Sequence, residues 1–139
     1  MPITLEIVSP EKLLLSREVD MVVIPASEGD MGVLEGHSPT TVMLRGGIVS
    51  LYEGDRLLES LFVAGGFAEV TPERCTVLAG EAMPVNELDR TEAEKRLRDA
   101  EEAHAQVDSD DLVEGELALE RVHSARAMMD AIDGLLSGH

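Results

Sequence analysis

Apolar and polar residues alternate along the first part of this chain. Ile3, Leu5 and Ile7 fall on one side of an extended segment and polar residues fall on the other, as expected of a half-buried β-strand. Turn-forming residues separate further short segments of the same kind, and no helix-length crossover lies between them. These strands are predicted at about 12–19, 21–26, 40–44, 47–52, 57–63, 67–70 and 76–79. The pattern therefore predicts an antiparallel sandwich or barrel.

The period becomes helical after Pro84. Asp89 and Glu92 have the spacing of a capping box, in which two side chains satisfy free amide groups at the start of a helix. A narrow apolar stripe follows, and four residues at 108–111 that favour turns interrupt it. The second stripe steps by four and three residues through Ala118, Val122, Ala125, Met129, Ile132 and Leu136. Two helices with a short connection predict an antiparallel hairpin with a coiled-coil-like seam.

Glycines punctuate the strand region at two places. The stretch 29–39 contains three glycines, which take positive φ at little cost, and ends in Pro39, which fixes φ and lacks an amide donor. We interpret it as a stiff, exposed turn that contributes shape and no chemistry. Gly65 and Gly66 lie inside an apolar strand, and no Gly-Lys-Ser or Gly-Lys-Thr follows them to make a phosphate loop. The favoured interpretation is a β-bulge, with close backbone packing as the alternative.

The net charge of −17 narrows the choice of partner. A nucleic-acid partner requires clustered Lys and Arg, and an anionic lipid surface repels such a chain, so we expect protein partners and contact with a membrane only through them. The amino terminus lacks the features of an export signal, and no apolar run approaches the roughly 20 residues that span a bilayer. Cys75 is the single cysteine, so an intramolecular disulfide is impossible.

A search for catalytic residues singles out His37 and Ser38. No second histidine or cysteine lies at a metal-ligand spacing from His37, and Ser38 has no G-x-S-x-G elbow around it. We therefore expect no catalytic residue and no metal site, and we interpret His37 as a structural or interface residue. A β-sandwich enzyme that uses His37 stays as a remote alternative.

Two of these stretches resemble the signature sequences of the epsilon subunit of bacterial F-type ATP synthases. The segment 36–39 resembles the family's glycine-histidine-proline signature, and the segment 62–70 with its glycine pair resembles the second signature. The resemblance continues through 76–79 and the acidic helical tail, so it covers essentially the whole chain.

The resemblance implies an N-terminal antiparallel β-sandwich of about ten strands at 1–85 and a mobile, regulatory helical hairpin at 86–139. It further implies a non-catalytic rotor subunit of the proton-translocating synthase, which couples the gamma subunit to the c-ring. Such a subunit is peripheral to the cytoplasmic face of the bacterial inner membrane.

The resemblance also assigns contact residues. The segment that meets the polar loops of the c-ring corresponds to Ser27, Glu28, Gly29, Asp30 and Met31. The part that meets the gamma subunit corresponds to the neighbouring sandwich surface and to Gly36, His37, Ser38 and Pro39. In the family the extended hairpin reaches the alpha/beta hexamer and blocks ATP hydrolysis. The final helix of this chain is net acidic, so we expect its attraction to an acidic segment of the hexamer to be weak or reversed, and the inhibition to be weak.

Family members that bind ATP carry an Ile- or Leu-Asp-x-x-Arg-Ala motif at the start of the first helix. This chain keeps the frame at 88–93 but has Glu92 in place of the arginine, and a carboxylate there opposes phosphate. Capping is the preferred role of Glu92. The residues that match a weak nucleotide site are Leu88, Asp89, Ala93, Arg121 and Arg126. We expect no bound cofactor, and a nucleotide-responsive regulatory module stays as the alternative function.

Overall fold

The computed structural model describes residues 2–136, with side chains described through Gly134. Within that part of the chain eight strands are followed by two helices, which confirms the predicted β-sandwich and C-terminal hairpin. The strands are β1 (Ile3–Val8), β2 (Leu13–Val19), β3 (Met21–Ala26), β4 (Gly29–Leu34), β5 (Thr40–Glu53), β6 (Arg56–Val70), β7 (Arg74–Leu78) and β8 (Ala82–Pro84). A 3-10 turn then leads to the helices α1 (Arg90–Ala105) and α2 (Leu112–Leu136). Neither of these helices has a stretch long and apolar enough to cross a membrane.

The strands form one hydrogen-bonded sheet in the order β2-β1-β7-β6-β5-β3-β4, and β8 pairs with β6. All paired strands are antiparallel except β1 with β7, which are parallel. The prediction of an antiparallel sheet is therefore wrong for that one pair. The chain from β2 to β6 serves as the long connection that parallel strands require, so no crossover helix is needed.

The sheet folds over on itself to make two layers. Asp20 alone separates β2 from β3, yet these strands lie near opposite ends of the sheet order. Arg17 on β2 pairs with Glu59 on β6 at 3.6 Å, although β1 and β7 lie between their strands. Strands three positions apart in a flat sheet would be about 14 Å apart. The sheet must therefore curve until its ends meet, as in a sandwich.

The side chains between the layers form one apolar core. No polar or charged side chain of the described residues is buried in it, and no described residue of α1 or α2 belongs to it. The removal of this apolar surface from water is the main term that stabilises the sandwich. Its fully buried members include Ile3, Leu5, Ile7, Val22, Ile24, Val33, Val49, Leu51, Val63 and Val77.

Two glycines change the phase of β6. Val63 and Ala68 both face the core although they are an odd number of residues apart, which a regular strand with a period of two does not allow. Gly65 and Gly66 lie between them with φ of 111° and 129°, a conformation that L side chains avoid. A Cβ on Gly66 would also collide with the carbonyl oxygen of Leu78. Pairing with β5 keeps one register here, so the bulge prediction is wrong and close backbone packing explains the glycines.

The neighbouring strand β5 changes phase at the same level. Leu44 and Val49 both face the core, with Gly46 and Gly47 between them. Because both strands change phase together, β5 and β6 stay paired and each contributes to both layers. A count that divides each of them at its glycines gives ten strands, the number that the resemblance implies, whereas the continuous strands give eight.

The prediction of a turn over 29–39 is wrong for its first half, which forms β4 and pairs with β3. Ser27 and Glu28 make the two-residue turn between these strands. β4 pairs with β3 alone, and only Met31 and Val33 on it face inward. Its apolar alternation is therefore too short to recognise among glycines and polar residues.

The start of α1 is capped as predicted on one side only. The Asp89 side chain accepts a hydrogen bond from the amide of Thr91 at 3.2 Å. The Glu92 carboxylate instead accepts a hydrogen bond from Arg96, one turn further along the helix, at 3.1 Å. The capping-box role predicted for Glu92 is therefore wrong, because a cationic side chain within reach is a stronger partner than an amide at the helix start.

The segment 108–111, with three aspartates and Ser109, lies in the connection between the two helices. Asp111 accepts a hydrogen bond from the amide of Glu114 at 3.1 Å and so caps α2. The two helices pack as the predicted antiparallel hairpin. The buried residues of the two helices are mostly small, which allows close approach, and they include Ala93, Ala100, Ala118, Val122 and Ala125.

Candidate functional site

The tip of the β3–β4 hairpin holds the residues predicted to meet the c-ring. Ser27 and Glu28 form the exposed turn, followed at once by a glycine with φ of 142°. Asp30 is exposed and accepts a hydrogen bond from Arg45 on β5 at 2.6 Å. Met31 packs against the core and anchors the tip. The structure thus brings these residues together at one corner of the sandwich.

The segment 36–39, predicted to meet the gamma subunit, connects β4 to β5. Gly36 has φ of 83°, and its amide donates to the carbonyl oxygen of Pro72 at 2.8 Å. His37 Nδ1 lies 2.8 Å from the carbonyl oxygen of Ser38, so the ring donates to backbone and is not aimed at the serine hydroxyl. This arrangement orients a side chain at the surface, and it is not a nucleophile with its base.

A row of apolar side chains crosses the outer face of one layer. In the register of the sheet, Met43 lies opposite Phe67, Phe67 opposite Leu78, Leu78 opposite Val8, and Val8 opposite Leu13. Met43 is 63% exposed and Phe67 is 37% exposed. We name these five residues the outer row. Since strands lie about 4.8 Å apart, the row is about 19 Å long, and a contiguous exposed strip of this kind marks an interaction surface.

The outer face of the other layer is covered by the helical hairpin. Phe62 on β6 is fully buried there and packs beside Ile48 and Ala64 of the same sheet. We name these three residues the docking face. The residues of the tail that cover it are Leu88, Ala93, Ala127, Met128, Met129 and Ile132.

α2 comes very close to the sheet at Gly46. A Cβ at this position would lie 2.7 Å from the Cα of Ser124, so only glycine leaves room for the helix. The Ser124 hydroxyl donates a hydrogen bond to the carbonyl oxygen of Ala64 at 3.0 Å. Small residues and one directed hydrogen bond therefore fix where α2 lies on the docking face.

Ion pairs tie α1 to the sheet and to α2. Arg96 donates two hydrogen bonds to the carboxylate of Glu81, at 2.5 and 3.1 Å, and one to Glu92 at 3.1 Å. The pKa of Arg96 is raised, chiefly by the hydrogen bond to Glu81. Arg90 pairs with Asp133 across the hairpin. Arg96 thus links the hairpin to the sandwich, while Arg90 links the two helices to each other.

A cavity of about 470 Å³ lies between α1, α2 and the sheet. Three carboxylates and two guanidinium groups line it, those of Glu81, Asp99, Glu120, Arg96 and Arg121. Because carboxylates outnumber cationic groups and Arg96 is already paired, the cavity has little to offer an anion.

The structure does not gather the five residues predicted for a weak nucleotide site. Only Arg121 lines the cavity. Leu88 and Ala93 pack on the docking face, and Asp89 caps α1. Arg126 is exposed and lies five positions beyond Arg121, which turns it by about 140° around the helix.

The described residues contain neither a metal-ligand cluster nor an exposed thiol. Among them, no three side chains come together as metal ligands. Cys75 is buried in the core, and burial raises its pKa to about 11, so little thiolate forms at neutral pH.

Comparison with known proteins identifies the family of this chain. The profile of the family described as ATP synthase, Delta/Epsilon chain, beta-sandwich domain matches residues 2–85. The ATP synthase epsilon chain of Granulibacter bethesdensis is 60% identical over 92% of this chain and 95% of its own length. The chain belongs to the ATP synthase epsilon chain family. The epsilon chain of Gluconacetobacter diazotrophicus is 41% identical over 96% of this chain and 95% of its own length.

Chains in solved structures of ATP synthases share the fold. A chain in the cryo-EM structure of the Euglena gracilis mitochondrial ATP synthase, with OSCP, F1 and the c-ring, has a TM-score of 0.70 and 31% identity over 91% of this chain and 80% of its own. A chain of the Tetrahymena thermophila mitochondrial ATP synthase central stalk and c-ring has a TM-score of 0.69 and 14% identity over 95% and 97%, which shows the fold alone. The recognition from the two signatures is confirmed, and epsilon chains are non-catalytic stalk subunits. The alternative of an enzyme that uses His37 is therefore dropped.

Sequence reasoning missed several residues of these epsilon-chain surfaces. Arg96 stands one turn after Glu92, a helical spacing that is visible in the sequence. Its second partner, Glu81, precedes the helix, and no local pattern reveals it. Gly46 and Ser124 are far apart in the chain, so only the folded structure brings them together.

Proposed function

We propose that this epsilon chain couples the gamma subunit to the c-ring through two adjoining surfaces of its sandwich. The outer row and the segment 36–39 contact gamma, and the tip of the β3–β4 hairpin contacts the polar loops of the c-ring. The observation that carries this assignment is the outer row, an uncovered apolar strip that borders both segments.

A backbone hydrogen bond connects the outer row to the tip, and the chain itself connects the row to the segment 36–39. The amide of Ser27 at the tip donates to the carbonyl oxygen of Met43 at 2.9 Å. At the other side, the segment 36–39 leads directly into β5, and Gly36 is bonded to Pro72 in the turn between β6 and β7. Two partners that lie side by side can therefore hold one continuous face of the sandwich.

The chemistry of the two surfaces suits two different partners. Met43 and Phe67 gain from removal of their apolar surface from water, at about 25 cal/mol per Å², so the row suits an apolar surface on gamma. The tip offers the carboxylate of Glu28 and exposed backbone, which suit polar loops. A second copy of this chain is a poor occupant of the row, because two chains of charge −17 repel each other.

We further propose that the chain reaches the cytoplasmic face of the bacterial inner membrane only through these partners. Its acidic surface opposes direct contact with anionic lipid.

Binding of the purified gamma subunit of the same synthase tests the assignment of the outer row. The double variant Met43→Ser, Phe67→Ser is expected to bind at least about tenfold more weakly, since burial of one such side chain contributes about 1.5–3 kcal/mol. The control is Leu57→Ser, which removes an apolar side chain that is 49% exposed in the other layer, and it is expected to bind normally.

The two ways in which this experiment can fail are distinguishable. Equal affinity of the double variant and the unmodified chain would contradict the role of the outer row alone. An unmodified chain that does not bind gamma would contradict the proposed stalk function.

We propose that the hairpin inhibits ATP hydrolysis weakly when it reaches the alpha/beta hexamer. α2 carries more carboxylates than cationic side chains, so an acidic segment of the hexamer repels it. Hydrolysis by the synthase with and without 86–139, across a salt series, checks this. The tail's inhibition is expected to be small at low salt and to rise as salt screens the repulsion. Strong inhibition that salt abolishes would contradict the charge argument.

We propose that ATP is bound weakly or not at all, because the residues at the cavity do not fit phosphate. Both terminal nitrogens of Arg96 already donate to carboxylates, and Asp99 and Glu120 line the same space. No described contact favours the alternative of a nucleotide-responsive module. Calorimetry with millimolar ATP is expected to show no saturable binding, and a micromolar dissociation constant would contradict this proposal.

A further inference from the structure

We propose that the hairpin of this chain is held in its docked position by the protein's own carboxylates on Arg96, with no need for a bound nucleotide. Glu81 of the sandwich and Glu92 of α1 provide those carboxylates, and we name the three residues the carboxylate clamp. The inference deepens the regulatory role proposed for the hairpin and rests on it.

The geometry of the clamp is that of a strong, directed ion pair. Each terminal nitrogen of Arg96 donates to one oxygen of Glu81, at 2.5 and 3.1 Å, and the second nitrogen also donates to Glu92 at 3.1 Å. Paired bonds between a guanidinium group and a carboxylate add geometric specificity to charge attraction. The side chains of Arg96 and Glu81 are half-buried, so solvent screens them less than an open surface pair.

The clamp joins parts of the molecule that no other described ion pair joins. Between described residues, Arg96 with Glu81 is the one ion pair that links the hairpin to the sandwich. The remaining ion pairs lie within the sandwich or within the hairpin. Release of the hairpin therefore requires that this pair separate.

Glu81 is a fixed point for the helices because its backbone is bonded to β6. Its carbonyl oxygen accepts the amide hydrogen of Ala64 at 3.1 Å. The carbonyl oxygen of Ala64 in turn accepts the hydroxyl hydrogen of Ser124 on α2. One residue of the sheet thus positions the anchor of α1 on its amide side and the anchor of α2 on its carbonyl side.

The carboxylates of Glu81 and Glu92 also exclude a phosphate from Arg96, the position from which a bound nucleotide could hold the hairpin. A phosphate at Arg96 would have to displace Glu81 or Glu92 from its nitrogens. It would then lie beside carboxylates that line the cavity, and like charges at this range repel. The carboxylates of the clamp occupy the place on Arg96 that an anionic ligand would need.

A buried reporter thiol in the full chain measures how often the hairpin opens. Met128 is 4% exposed between α2 and the docking face, so the thiol of Met128→Cys reacts with a disulfide reagent only when the hairpin is released. The native Cys75 is fully buried in the sandwich core. Peptide mass spectrometry of the same samples separates the two thiols, and labelling of Cys75 reports any unfolding of the sandwich.

Three variants in this background test the clamp. Arg96→Gln and Glu81→Gln are each expected to speed labelling at residue 128 by about five- to tenfold, as loss of a well-formed, partly buried ion pair implies. The matched control is Arg98→Gln on the same helix, which removes a guanidinium group that makes no ion pair with any described residue, and it is expected to change nothing. Higher ionic strength is expected to speed labelling of the reporter chain and to have less effect after Arg96→Gln.

Millimolar ATP is the second arm of the test and is expected to leave the labelling rate of the reporter chain unchanged. Slower labelling with ATP would overturn the inference, because a nucleotide would then hold the hairpin. Labelling of Arg96→Gln at the same rate as Arg98→Gln would overturn it as well. The assay contains neither the alpha/beta hexamer nor gamma and the c-ring, so its outcome is separate from the hydrolysis test of the hairpin's regulatory role and from the binding test of the stalk function.

Discussion

The two phenylalanines of this chain lie on the same strand in opposite surroundings. Phe62 is fully buried beneath the hairpin, whereas Phe67 is 37% exposed. The glycines at 65 and 66 change the phase of β6 between them, so each ring points outward from a different layer. The sandwich therefore has two comparable apolar outer faces. The chain's own tail covers one, and no described residue covers the other in the same way.

Replacing each phenylalanine in turn is expected to have the largest effect on the two faces. Phe62→Ser is expected to release the hairpin, because loss of a buried aromatic ring costs about 3–5 kcal/mol, and to leave gamma binding unchanged. Phe67→Ser is expected to do the reverse. Hydrogen exchange of the α2 amides and titration with gamma, on both variants, provide the two readouts. A variant that alters both readouts would show that the two faces are coupled.

A single methyl group added to the sheet tests the covered face alone, because it touches only the hairpin side. Gly46→Ala places a Cβ against the backbone of Ser124, and such overpacking costs about 1–3 kcal/mol. We expect faster proteolysis of the hairpin with a folded sandwich. Gly80→Ala is the control, since a Cβ there meets open space. Equal protease resistance of the two variants would mean that the helix does not need the close approach at Gly46.

The smallest expected effect comes from the hydrogen bond that positions α2. Ser124→Ala removes the donor to the carbonyl oxygen of Ala64, and a bond of this kind contributes about 1 kcal/mol. We expect a roughly fivefold rise in hydrogen exchange along the buried side of α2. Ser109→Ala, in the exposed connection between the helices, serves as the reference. Unchanged exchange after Ser124→Ala would leave the small residues alone as the reason for the position of α2.

Local patterns in the sequence were enough to predict the layers of this fold and the order in which they follow. The alternation of Ile3, Leu5 and Ile7 and the seam from Ala118 to Ile132 each reflect burial on one side of an element, and Asp89 marked the start of α1 correctly. Such signals depend on neighbours within a few residues, so they can be read from the sequence without knowledge of the fold.

The features that position the contact surfaces depend on residues that are distant in the chain. The outer row requires the register of five strands, and Phe67 points outward only because β6 changes phase at its glycines. The partner of Arg96 on the sandwich could not be read from helix spacing. β4 was missed because one edge strand with two inward side chains leaves little alternation. The segment 36–39 was recognised by resemblance to a signature, and its roles remain proposals.

The pairing of β5 with β6, which keeps one register across the glycines of both strands, has a mechanical consequence. These two strands are hydrogen-bonded through both layers, so Met43 and Phe67 of the outer row stand on the same pair of backbones as the docking face. A torque applied to one layer acts on many backbone hydrogen bonds between β5 and β6 at once. No loop interrupts the two strands between the layers, so little of the torque is lost to bending. The docked hairpin would therefore rotate together with the rigid sandwich. Its release would depend on the weak contacts that hold it to the sheet and not on deformation of the sandwich.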